Sequence, residues 1–258
     1  MPSTSRPSIR VAAAQSVSVA GDIAANVEVH TRFIAAAHAA AVDILVFPEL
    51  SLCGYELALL PRCSLLPGDS RPAPLGDMAR AHAMTVVVGA ALDGGADAMP
   101  AIAAFSYFPD GTHAVYRKQY LHPGEERYAA AGPIGGAIQG LCGESYALAI
   151  CADTSHTAHA VAARAAGASL YLASVLVSTG GYAQDSANLQ RHAAEQGMGV
   201  LMANHGGPSG GYAAAGRSAF WAPGGRLIAQ APGPGSFLLV AQRQSGVWSG
   251  ESQAVVIG

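Results

Sequence analysis

The chain predicts an α/β protein built on mixed sheets. Two observations carry this: apolar strand-like runs alternate with helix-like stretches through both halves, and hairpin signals interrupt the alternation. The hairpins exclude a purely parallel sheet. Two sheets packed face to face with helices outside suit both features, and so does one open sheet. No linker or low-complexity segment divides residues 1–258, so one domain is expected.

The elements follow in order. Ile9–Gln15 alternates and then runs apolar, as a strand does. Asp22 can cap a helix to about Ala41, with Val27, Phe33, Ile34 and Ala37 on one face. Ile44–Phe47 is a short buried strand before Pro48-Glu49. Leu75–Ala83 reads as helix and Thr85–Leu92 as a buried strand. Ala101–Phe108 and His113–Lys118 flank Pro109-Asp110-Gly111-Thr112, a strong hairpin signal. Tyr146–Ile150 is a strand, followed by an Ala-rich helix to about Ala166. Then come strand 169–177, helix 185–196 and strand 200–204. Ser218–Trp221 and Arg226–Gln230 flank Pro223-Gly224-Gly225, and Phe237–Gln242 is the last strand. The tail 245–258 finds no home in the domain and is expected to reach a partner subunit.

Composition narrows the function. Of the 258 residues, 51% are hydrophobic and only 12% charged, against about 25% charged in ordinary soluble domains. A surface so poor in charge favours an oligomer. Net charge is −3 without a basic cluster, which argues against nucleic-acid binding. No apolar run reaches the ~18 residues of a membrane span. Arg6 and Arg10 precede an apolar stretch, and Ser18-Val19-Ala20 has the form of a cleavage site. Gln15, Ser16 and Ser18 break that stretch, so it reads as a strand rather than an export signal. Cys53, Cys63, Cys142 and Cys151 fit no C-x₂-C metal pattern, and reduced thiols in a cytoplasmic protein are expected. Gly206–Gly211 matches no phosphate-binding pattern.

Three polar residues stand at strand ends: Glu49, Lys118 and Cys151. Strand ends of α/β folds converge where ligands bind. Cys151 also precedes a helix, whose dipole favours thiolate. A carboxylate can take the thiol proton and later deliver it to a leaving group, while an ammonium and the N–H of Ala152 hold an oxyanion. Asp153, His156 and His159 share metal-like spacing, but Asp153 is read more simply as a cap or a hydrogen-bond partner near the cysteine. No metal or cofactor is expected.

Phe47-Pro48-Glu49-Leu50-Ser51-Leu52-Cys53-Gly54-Tyr55 resembles the first signature of the nitrilase, or carbon–nitrogen hydrolase, superfamily. Tyr116-Arg117-Lys118-Gln119-Tyr120-Leu121 resembles the second and Ala149-Ile150-Cys151-Ala152-Asp153 the third, in matching order and separation. The resemblance implies a four-layer α-β-β-α sandwich with two mixed sheets. It also implies a triad of Glu49 as general base, Lys118 as oxyanion stabiliser and Cys151 as nucleophile. A second glutamate that supports the lysine is implied eight positions after it, at Glu126, with Glu125 as the competitor. Relatives often carry Pro-Glu some six residues after the cysteine, where this chain has His156-Thr157-Ala158. Tyr55, His122, Ala152, Ser174 and Val175 are expected around the substrate. A homodimer or higher homo-oligomer is implied, as is an amidase acting on a small primary amide, first of all the ω-amide of a short carboxylic acid. N-carbamoyl compounds and nitriles follow. Rivals of another kind are a noncatalytic member of the fold and a redox-sensing thiol protein that pairs Cys151 with Cys142.

Overall fold

The computed structural model describes residues 8–257 except 67, 97, 136 and 137. Arg6 lies outside the described residues. In chain order the elements are β1 (Ile9–Gln15), α1 (Ile23–Ala39), β2 (Ile44–Val46), α2 (Leu60–Cys63), α3 (Ala73–Ala81), β3 (Thr85–Leu92), β4 (Ala101–Tyr107) and β5 (His113–Arg117). The second half holds β6 (Gln139–Leu141), β7 (Glu144–Ile150), α4 (Thr157–Ala165), β8 (Leu170–Val175), α5 (Tyr182–Gln196) and β9 (Gly199–Asn204). It ends with β10 (Ala219–Trp221), β11 (Leu227–Gln230), β12 (Phe237–Gln244) and β13 (Val247–Ala254).

The strands form two mixed sheets. One runs β13-β12-β1-β2-β3-β4-β5 and the other β11-β10-β9-β8-β7-β6. Within the first, β1 pairs parallel to β2 and antiparallel to β12. In the second, β7, β8 and β9 are parallel. Two strand faces decide the layering. Tyr146, Leu148 and Ile150 of β7 join the core between the sheets, while the alternate Ala147 and Ala149 join a second core with α4 and α5. Period-2 alternation therefore serves two apolar faces at once. Small alanines on the outer face let Ala160 and Ala163 of α4 approach closely. Helices α1 and α3 contact each other against the first sheet. The result is the expected α-β-β-α order.

The tail departs from expectation. It pairs along the whole of β12 as β13, within this subunit, so its residues 247–254 are an edge strand rather than an unplaced arm. Trp248 is its one buried anchor, with its ring 4.5 Å from that of Phe220.

Backbone crowding sets one glycine. A Cβ at Gly89 of β3 would lie 2.2 Å from the carbonyl oxygen of Pro48 and 2.4 Å from the amide nitrogen of Leu50. The loop that carries Glu49 thus rests directly on β3. Gly89→Ala is expected to destabilise the protein by about 3 kcal/mol, because the clash is with the backbone of the Glu49 loop rather than with a flexible side chain. Urea unfolding measures it, and a loss below about 1 kcal/mol would mean that the loop moves freely.

Candidate active site

Glu49, Lys118 and Cys151 each follow a strand directly or by a short extension, and the two sheets bring them together. Lys118 Nζ donates to Glu49 Oε1 at 2.6 Å and to Glu125 Oε1 at 2.7 Å. All three side chains are essentially without solvent exposure. Cys151 lies beside the Glu49 carboxylate, and its thiol points toward the carbonyl of Leu176 at 3.7 Å.

The Glu49 loop, which rests on β3 of the first sheet, is also tied to the second. The hydroxyl of Ser174, on β8, donates to the Phe47 carbonyl at 2.8 Å, and His205 Nε2 lies 2.7 Å from the Glu49 carbonyl. Leu50 turns the chain in the left-handed region (φ 51°). Ser174 is thus a tie between sheets. It is absent from the pocket lining, which corrects its expected place around the substrate. Tyr55, His122, Ala152 and Val175 do line the pocket with Cys151.

The second glutamate is also a correction. Glu125, not Glu126, contacts Lys118. Gly124 adopts φ 99° and starts a tight turn over Glu125–Arg127 that directs Glu125 inward. Glu125 Oε1 additionally accepts the Tyr55 hydroxyl at 2.5 Å, and Oε2 accepts the His122 N–H at 2.7 Å. Glu126 is exposed and accepts the Gly124 N–H at 2.7 Å. Counting along the chain could not separate two adjacent glutamates, but the preceding glycine marks where the turn begins.

Cys151 adopts φ 41°. Left-handed backbone at a non-glycine residue costs on the order of 1–3 kcal/mol, and here it presents the sulfur at the sharp turn between β7 and the next segment. That segment is a short 3₁₀ turn, Cys151–Ser155, and α4 starts only at Thr157. The helix dipole expected to favour thiolate therefore begins six residues away. Burial, together with the Glu49 carboxylate, pushes the thiol well above its ordinary range, with Lys118 pulling the other way. At rest the sulfur is a thiol that needs a base.

Glu49 suits that need. Burial raises its carboxyl to about 7, against the pull of Lys118. Burial alone would lower Lys118, but Glu49, Cys151 and Glu125 together push it upward, so it stays an ammonium. Among the described residues, Glu49 Oε2 is buried without a hydrogen-bond partner. An orphaned carboxylate oxygen beside a thiol is a natural proton acceptor. Two of the three ammonium hydrogens of Lys118 are spent on carboxylates, which leaves a third for a ligand oxygen.

Asp153, read from the sequence as a cap or a hydrogen-bond partner near the cysteine, is a wider hub. Its Oδ1 accepts the N–H groups of Gln119 and Tyr120 at 3.0 and 2.9 Å. Its Oδ2 accepts the Ile150 N–H at 2.9 Å and the Tyr116 hydroxyl at 2.7 Å. One carboxylate thereby clamps the Lys118 loop to the Cys151 turn. The two ring nitrogens of His159 lie 2.8 Å from the hydroxyls of Tyr116 and Tyr171, and His156 stacks on Tyr120. The contacts of His159 occupy both of its ring nitrogens. Asp153→Asn is expected to destabilise by about 2 kcal/mol, since its amide turns donors toward donors. A fall of about tenfold in kcat/KM should accompany it as the lysine and cysteine lose register. An unchanged thermal midpoint would refute the clamp.

The pocket beside Cys151 has a volume of about 330 Å³, enough for a small ligand. Glu49, Lys118 and Glu125 stand behind it, out of the lining.

The family model described as carbon–nitrogen hydrolase matches residues 10–249. No curated protein sequence matches the chain. Solved structures with the same fold include mutants of an amidase from Nesterenkonia sp. AN1, of the nitrilase superfamily. One shows covalent addition of the acetamide moiety of fluoroacetamide at the active site cysteine. It is 23% identical with TM-score 0.83, over 95% of this chain and 92% of that one. Another, in complex with butyramide, is 23% identical with TM-score 0.84, over 95% and 94%. Likeness at this identity establishes the shared fold, while the family match runs from β1 into β13. On that ground the chain belongs to the carbon–nitrogen hydrolase family.

Proposed function

We propose that the protein is an amidase that releases ammonia from a small primary amide through a thioester at Cys151. The observation that carries this is the orphaned Glu49 oxygen beside the thiol, with Lys118 held against the same carboxylate. Glu49 takes the thiol proton, and the sulfur attacks the carbonyl carbon. Lys118 and the N–H of Ala152 receive the developing oxyanion. The C–N bond breaks as Glu49 returns the proton to the departing ammonia. Water then attacks the thioester, giving its proton to Glu49, and the carboxylic acid leaves with the sulfur restored to a thiol.

The ω-amide of a carboxylic acid loses its first place. Among the described residues no arginine or lysine lines the pocket to receive the free carboxylate. A noncatalytic role is disfavoured by cost, because a buried ammonium between two carboxylates is expensive to keep without use. The redox pair fails on distance. Cys142 and Cys151 flank the seven residues of β7, about 20 Å apart at the rise of a strand. Cys142 instead faces Asp43. The charge-poor composition keeps a homodimer within the proposal.

Ammonia release from small amides, carbamoyl compounds and nitriles tests the function, with acid-quenched protein examined by peptide mass. Ammonia from an amide together with its acyl mass on the Cys151 peptide is expected. Turnover with the acyl group on another residue would overturn the mechanism.

A further inference from the structure

We propose that the pocket takes an amide whose far end is positively charged, and that Asp185 is the residue that receives it. This inference rests on the amidase reading. Asp185 stands in the first turn of α5 and lines the same pocket as Cys151. Among the described residues its carboxylate makes no hydrogen bond or ion pair, although it is partly withdrawn from water. Burial raises its carboxyl from the ordinary range, and His122, across the pocket lining, is the titratable neighbour acting in the other direction. A partly buried carboxylate without a partner is a site that a cation completes.

The surroundings keep that carboxylate open. Gly181, at φ −87°, has no conformational need to be glycine. A Cβ there would lie 3.0 Å from Asp185 Oδ2 and 3.5 Å from Ser178 Oγ. Glycine therefore clears the space in front of the carboxylate. Charge points the same way. Asp185 is the one acidic residue of the lining, and no lysine or arginine among the described lining residues opposes it. An adjoining groove that shares Tyr55, His122 and Tyr212 holds Arg127, but Glu56 lines that groove too. A substrate with a free carboxylate would meet Asp185 as a like charge. One ending in an amine would pair with it, and its carbonyl would still lie toward Cys151.

Three amides of similar length separate the cases: γ-aminobutyramide, valeramide and succinamate. For the wild type, kcat/KM is expected to fall in that order, with the cationic amide ahead of the neutral one by about tenfold, mostly through KM. Asp185→Asn should bring the cationic-to-neutral ratio down to about one. An unchanged ratio in Asp185→Asn, or succinamate as the best of the three, would overturn the proposal. Silence with all three would remove the amidase reading, and binding then decides independently. Calorimetry on Cys151→Ala should show γ-aminobutyramide binding that weakens about tenfold in Cys151→Ala/Asp185→Asn. Equal binding to both proteins, or none to either, would overturn it as well.

Discussion

Glu49→Gln is expected to lower kcat/KM by about 10³-fold while leaving the protein folded. Glutamine keeps the shape of the side chain and can still accept from Lys118. What it cannot do is take a proton from a buried thiol that sits well above its ordinary range. The wild-type pH profile carries the second half of this prediction. Burial raises Glu49 to about 7 despite the pull of Lys118. A raised carboxyl is protonated below that value, and a protonated base is inactive. So kcat/KM should fall by about tenfold per pH unit on the acid side of about 7. An isolated surface glutamate would place that limb near 4.3. Glu49→Gln should lose the limb together with the rate. A wild-type profile flat down to about pH 5 would show that Glu49 is not the base.

Much of this site was legible because its residues sit where strands stop. Apolar runs such as Thr85–Leu92 and Ile9–Gln15 are buried along almost their whole length, and such runs declare their ends. Glu49, Lys118 and Cys151 were therefore placed without a view of the sheets. The failures each have their own physical cause. Strand β13 faces solvent over most of its length and has only Trp248 as a buried anchor, so neither apolar periodicity nor a continuous apolar run betrays it. Ser174 and Val175 are neighbours at the end of β8, and strand alternation sends them to opposite faces. Ser174 reaches the Phe47 carbonyl across the inter-sheet core, while Val175 joins the other core and reaches the pocket. Asp153 makes its hub through the backbone of a distant loop, and no local pattern encodes such partners. The thiolate expectation failed because the sulfur is buried beside the Glu49 carboxylate, and a 3₁₀ turn rather than the α-helix follows it.

Glu125→Gln should cost about 10²-fold in kcat/KM, whereas Glu126→Gln should stay within about twofold of wild type. The contrast follows from what each carboxylate touches. Glu125 accepts from Lys118, from the Tyr55 hydroxyl and from the His122 N–H, so one side chain joins the lysine to two residues of the pocket wall. Glutamine at 125 keeps one acceptor oxygen but turns an N–H₂ toward donors already in place. Either Lys118 or the His122 amide then loses its partner. The ammonium would lean further toward Glu49 and away from the forming oxyanion, so the loss should fall on kcat more than on KM. Glu126 accepts the nearby Gly124 N–H at the protein surface, where water replaces it at little cost. Steady-state kinetics on the two variants, with thermal midpoints beside them, separates the roles. Glu126→Gln as the more damaging change would return the lysine-supporting role to Glu126. Equal small effects would show that Lys118 is held by Glu49 alone.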